Sequence, residues 1–137
     1  MKRCVCHVLV LTLLCGIVRG DGNAAPPHET VATMQDQASY MPMNALITEL
    51  GALADDPRRR ADIESILIGY LDDPNIPFLG LQATCNALGI AGTRAAVPAL
   101  ARLLSTDAER ASVARLALER IPGPEAAEAL LGELGQG

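Results

Sequence analysis

The chain repeats itself. Ala87, Leu88, Ala96, Ala99, Leu100 and Leu104 recur thirty residues later as Ala117, Leu118, Ala126, Ala129, Leu130 and Leu134. Self-similarity at a period of about 20–50 residues marks a stack of supersecondary units, none of which can bury its apolar face alone. The fold must therefore bring successive units into contact, and each unit must look like its neighbour. Such an architecture offers a continuous surface for binding but does not name the ligand.

The spacing of apolar residues supplies the elements. Ala45, Leu46, Leu50 and Leu53 recur near i, i+4 and i+8, which predicts a first helix starting at Asn44. Asp55-Asp56-Pro57 breaks it. Ile63, Ile66, Leu67, Tyr70 and Leu71 line a second helix, and Asp72-Asp73-Pro74 repeats the break seventeen residues on. Asp56 and Asp73 suit N-caps, with Pro57 and Pro74 at the first helical position. Phe78, Leu81, Cys85 and Leu88 form the stripe of a third helix, and Gly89 and Gly92 bracket the turn after it. Ala96, Val97, Leu100, Leu103 and Leu104 make a fourth. Pro98 sits inside that stretch, where an interior proline costs about 3 kcal/mol. The cost falls in the first turn, whose N–H groups lack helical partners, so this helix is expected to begin near Ala95. Val113, Leu116, Ala117 and Arg120 define a fifth helix. Ala127, Leu130, Leu131 and Leu134 define a sixth beyond Pro122-Gly123-Pro124, the sharpest break in the chain. No β-alternation of useful length appears. The expected fold is all-α, a short α-solenoid of about three antiparallel helix pairs.

The ends of the chain read differently. Lys2 and Arg3 precede a run from Val8 to Val18 that is apolar apart from Thr12, Cys15 and Gly16, and Arg19 closes it. A membrane span needs roughly 20 apolar residues, whereas a charged start and a short apolar run make a secretory signal peptide. Residues 1–20 are assigned to it, with cleavage after Gly20 or after Ala24. Leu14 is bulky for the position before a lipid-attachment cysteine at Cys15. The expectation is a secreted or periplasmic chain without a membrane span after cleavage. Residues 21–42 carry Pro26-Pro27, His28, Gln35, Gln37 and Ser39 without periodicity, and read as a flexible linker. Residues 43–137 are the repeat domain.

Charge and cysteine content then exclude partners. The signal removes three of the eleven basic residues and none of the sixteen acids, so the net charge falls from −5 to −8. Dispersed arginines on an acidic chain argue against nucleic acid, where phosphate neutralisation supplies most of the affinity, and against an anionic membrane surface. Cys4, Cys6 and Cys15 leave with the signal. Cys85 alone remains, on an apolar helical position, and reads as a small core residue.

The motif Leu88-Gly89, then Gly92, then Ala96-Val97-Pro98-Ala99-Leu100 with Leu103-Leu104 resembles HEAT-like repeats of the short bacterial type, similar to those of phycobilin lyases. The likeness is strongest over residues 78–104. It weakens in 108–134, where Glu128 replaces the proline, and further in 44–71. The resemblance implies a HEAT/armadillo-like α-solenoid that usually serves as a protein-binding scaffold. One branch of such proteins binds iron through His-Glu pairs on its repeats, but the single pair outside the signal, His28-Glu29, lies in the linker. A metal site needs several ligands on rigid elements. A lyase-like pocket would need room and aromatic lining, and aromatics make up 2% of the chain. Ser65, Ser105 and Ser112 have no histidine within the repeats to serve as a base. No catalytic residue, metal or cofactor is expected. Asp55-Asp56 and Asp72-Asp73 lack the defined loop of a calcium site. Arg58-Arg59-Arg60 reads as a solvated face or as a docking patch for an acidic partner.

The expected function is an exported, non-enzymatic scaffold that binds another protein. The alternative is an accessory or ligand-binding module of an enzyme complex. In HEAT-like stacks the second helix of each pair lines the concave face, which singles out Asp62, Arg94, Arg102 and Glu125 as binding residues.

Overall fold

The computed structural model describes residues 25–35 and 41–135. The signal segment 1–20 and the proposed cleavage sites lie outside the described residues, as does the Leu134 side chain. Among the described residues the fold is all-helical: α1 (Pro27–Thr30) running into a 3-10 turn (Val31–Thr33), α2 (Met41–Ala52), α3 (Pro57–Leu71), α4 (Phe78–Ala91), α5 (Val97–Leu104), α6 (Ala108–Leu118) and α7 (Pro124–Leu134). No strand occurs among them.

The two Asp-Asp-Pro breaks behave differently. Asp56 caps α3, its carboxylate accepting the Arg59 N–H at 3.1 Å, with Pro57 at the first helical position. Asp73 does not cap a helix. It accepts the Asn75 N–H at 2.8 Å within a turn, and α4 begins only at Phe78, after Pro77. The cause is Pro77, which disfavours helical backbone at the residue before it. A helix started at Pro74 would need helical backbone at Ile76. The chain instead stays open there and tucks Ile76 into the core.

Pro98 lies in the first turn of α5 as expected, although the helix begins at Val97 rather than near Ala95. The first helix begins earlier than expected, at Met41, so Asn44 lies within it and not at its cap.

Helix α4 is the centre of the molecule. Leu81, Thr84, Cys85, Ala87 and Leu88 have no exposed surface. A helix buried on nearly all sides must be covered by several neighbours, and α4 contacts α2, α3, α6 and the 3-10 turn. The buried Thr84 hydroxyl is satisfied by donating to the Gly80 carbonyl at 2.8 Å. Two glycines permit the close approaches. A Cβ at Gly89 would stand 3.3 Å from Ala117 Cα of α6, and one at Gly80 would stand 2.1 Å from the Ala32 carbonyl oxygen.

Among helices adjacent in sequence, α1 with α2, α3 with α4 and α5 with α6 are well packed, while α2 with α3 and α4 with α5, expected as pairs, make little contact. Helices two apart also touch: α2 with α4, α3 with α5, α4 with α6, and α5 with α7. Helix α6 is wedged between α4 and α5 by Ala111, Val113, Ala114, Ala117 and Leu118. Its core is largely alanine, which is why the leucine-based stripe misplaced Leu116, a half-exposed residue. Ile66 and Phe78, also expected in buried stripes, are more than one-third exposed.

Residues 21–42 were expected to form a flexible linker, yet the described part of this stretch is built into the core. Val31, Ala32 and Met34 are buried, and His28 is 7% exposed. Its composition is polar, but the Ala32 backbone lies against Gly80 of α4 and the side chains of Val31, Ala32 and Met34 join the hydrophobic core. Burial of that surface offsets the entropy of ordering the segment.

Candidate functional site

The most constructed polar feature sits at the turn between α4 and α5. Glu64 of α3 is buried, and its carboxylate accepts the Thr93 backbone N–H at 2.6 Å and the Thr93 hydroxyl at 3.1 Å. The Thr93 hydroxyl oxygen in turn accepts the Ala95 N–H at 3.2 Å. The turn is thereby tied to α3, and the buried carboxylate has the partners that burial demands. Beside it is an open depression of about 270 Å³ lined by Pro57, Arg60, Ala61, Glu64, Ala91 and Thr93. Arg60 is half-buried there, whereas Arg58 and Arg59 are exposed. The three arginines thus do not form one uniform solvated cluster.

Glu64 escaped the sequence reading. A signal was present: it lies three residues before Leu67 and seven before Leu71, on the stripe that faces the core. A lone carboxylate at such a position must find hydrogen-bond donors from another element.

All four residues singled out for binding are exposed. Asp62 lies on α3, Arg94 in the turn held by Glu64, Arg102 on α5 and Glu125 in the first turn of α7. No described hydrogen bond or ion pair joins any two of them. Arg102 is ion-paired with Asp72, the C-terminal cap of α3. Both side chains are more than half exposed, so the pair is screened and its charge remains available at the surface. Arg115 of α6 similarly reaches Glu133 of α7 at 2.8 Å.

His28 is held by α2. Its Nδ1 lies 3.0 and 3.1 Å from the two carboxylate oxygens of Glu49, so the ring donates that proton to the carboxylate. Tyr70 of α3 donates to the Glu29 carbonyl at 3.4 Å, and burial and the Glu29 carboxylate both raise the phenol's pKa. Among the described residues no three His, Cys, Asp or Glu side chains cluster as a metal site would require. Cys85 is free and buried as expected of a core residue, and burial pushes its thiol up to about 12. A thiol in that state is a poor nucleophile at neutral pH. No helix among the described residues is long and apolar enough to cross a membrane.

Comparison with protein-family models, with curated proteins and with solved structures returns no match.

Proposed function

We propose that the chain is an exported, non-enzymatic HEAT-like solenoid whose exposed charged surface binds another protein. The observation that carries this reading is the agreement between the thirty-residue repeat and burial. Ala87 and Ala117 are both buried, as are Leu88 and Leu118, and Ala96 and Ala126. These three positions meet similar surroundings in both units, as stacked units require, whereas Ala129 and Leu130 are only half-buried where Ala99 and Leu100 are buried. Contacts between helices two apart support the same arrangement, although the sequence neighbours that pack together are α3 with α4 and α5 with α6, one helix out of step with the pairs expected from the sequence. Export rests on the charged start and short apolar run of residues 1–20.

Asp62, Arg94, Arg102 and Glu125 are the binding residues in this reading. Arg94 is the best placed, because the Glu64–Thr93 bonds hold its turn. Reversing charge at Arg94 and Arg102 together should abolish capture of the partner from the exported fraction while leaving the helical circular dichroism unchanged. Undiminished capture would remove this surface from the proposal.

The depression beside Glu64 favours a second reading, an accessory module that binds a small ligand for an enzyme complex. A thermal-shift screen separates the two. Stabilisation that is lost on Arg60→Ala supports the ligand-binding module, and a flat screen leaves the scaffold.

A further inference from the structure

Arg60 and Glu64 lie one helical turn apart on α3, on the same face. Opposite charges at that spacing commonly pair, yet no ion pair joins these two. Glu64 is 7% exposed and engages Thr93 of the α4–α5 turn instead. It accepts the Thr93 backbone N–H at 2.6 Å, and its two oxygens share the Thr93 hydroxyl proton at 3.1 and 3.2 Å. Thr93 thus supplies two protons to a carboxylate with about four lone-pair sites, so acceptor capacity remains. The Arg60 guanidinium is half-buried and makes no hydrogen bond or ion pair among the described residues. Two opposite charges therefore stand side by side, and neither neutralises the other.

Both line the same open depression of about 270 Å³, where Ala54, Ala61 and Ala91 add methyl groups. Pockets for drug-sized molecules run from about 300 Å³ upward, so this space suits a smaller ligand. Its polarity narrows the class. A plain anion on Arg60 would face the Glu64 carboxylate, and a plain cation on Glu64 would face the Arg60 guanidinium; each meets a like charge at close range. A small molecule carrying both charges meets an opposite charge at each end. Thr93 holds Glu64 in place before any ligand arrives, which lowers the ordering cost of binding.

We propose that this depression binds a free α-amino acid with a short aliphatic side chain. Its carboxylate takes the Arg60 guanidinium, a pairing that the planar fork of donors favours. Its ammonium donates to the Glu64 carboxylate, and its side chain lies against the alanine methyls. The proposal rests on the ligand-binding-module reading and names the ligand class for that site.

The test titrates the intact 15N-labelled chain with L-valine, with 3-methylbutanoate, which lacks the ammonium, and with 2-methylpropylamine, which lacks the carboxylate. L-Valine should shift the Thr93 and Ala61 amide resonances saturably. Each of the other two should bind about tenfold more weakly, since each loses one charge-assisted contact. Arg60→Met keeps the aliphatic stem, removes the guanidinium and should weaken L-valine about tenfold. Glu64→Gln keeps an acceptor for the Thr93 N–H and should erase the preference for L-valine over 3-methylbutanoate. Because Glu64 also anchors a turn, the three-ligand comparison on the wild type stands whether or not that variant folds. L-Valine binding no tighter than 3-methylbutanoate overturns the proposal, and so does L-valine binding that is indifferent to Arg60→Met. If L-valine is inert while other compounds stabilise the chain in an Arg60-dependent way, the amino-acid assignment falls and the ligand-binding module stands. Inert L-valine together with a flat thermal-shift screen defeats both.

Discussion

Leu100 and Leu130 occupy the same place in the repeat, yet the first is sealed in the core and the second is half open. The difference lies in neighbours and not in the residues. Leu100 sits on a helix flanked by α3, α6 and α7, and Leu130 on a helix that has fewer elements against it. Two positions with matching sequence surroundings thus differ in burial because different helices lie against them. Stability in such a chain is unequally distributed, high around α4 and lower toward α7.

Truncation gives the largest contrast between covered and open positions. Leu100→Ala should cost about 3 kcal/mol in urea unfolding, because a fully buried leucine leaves a cavity. Leu130→Ala should cost about 1 kcal/mol, its site being partly hydrated already. Equal costs would break the comparison, because the two positions would then be equally covered in solution.

Two helical glycines extend it to the backbone. Gly80→Ala would drive a methyl group into the Ala32 carbonyl, so it should destabilise by about 2 kcal/mol and open residues 25–35 to hydrogen exchange. Gly69 has nothing within 4 Å of such a methyl, and Gly69→Ala should stabilise α3 by up to about 1 kcal/mol.

The twin Asp-Asp-Pro breaks offer a smaller contrast. Asp56→Ala removes a helix cap and should cost about 1 kcal/mol. Asp73→Ala loses only one exposed turn hydrogen bond and should cost a few tenths. Matching losses would mean that Asp73 too acts as a helix cap.

At neutral pH the least effect belongs to Cys85. Its thiol ionises near an ordinary 9 when unfolded and near 12 when native, so the unfolded state loses its proton first. Stability contributed by the neutral thiol should be intact below pH 9 and decline as pH rises toward 12. Tyr70 is shifted in the same direction, so Cys85→Ala should reduce this alkaline loss without removing it. Alkylation at pH 8 should be slow in the native protein and rapid in urea.

Much of the helical outline was legible from pattern alone. Leu46, Leu50, Leu67, Leu81 and Leu88 sit on the expected stripes and are buried. Where the reading failed, a local rule met a competing constraint. Pro77 cancelled the cap at Asp73, and the alanine-rich core of α6 left Leu116 outside. The supposed linker failed differently: Val31, Ala32 and Met34 are buried because the segment packs onto α4, with the Ala32 backbone against Gly80. Of the surface, exposure of Asp62, Arg94, Arg102 and Glu125 was legible because each lies off an apolar stripe. The pairing of Arg102 with Asp72, thirty residues away, was not.

Periodicity and proline positions are properties of neighbouring residues, and they suffice to determine that this chain is helical. Which helices touch, that Glu64 is anchored by Thr93, that His28 meets Glu49, and that Leu131 stays open are decided by tertiary structure. The physical reason is range. Helix propensity and capping act over three or four residues, whereas burial of a side chain depends on whatever the fold brings against it.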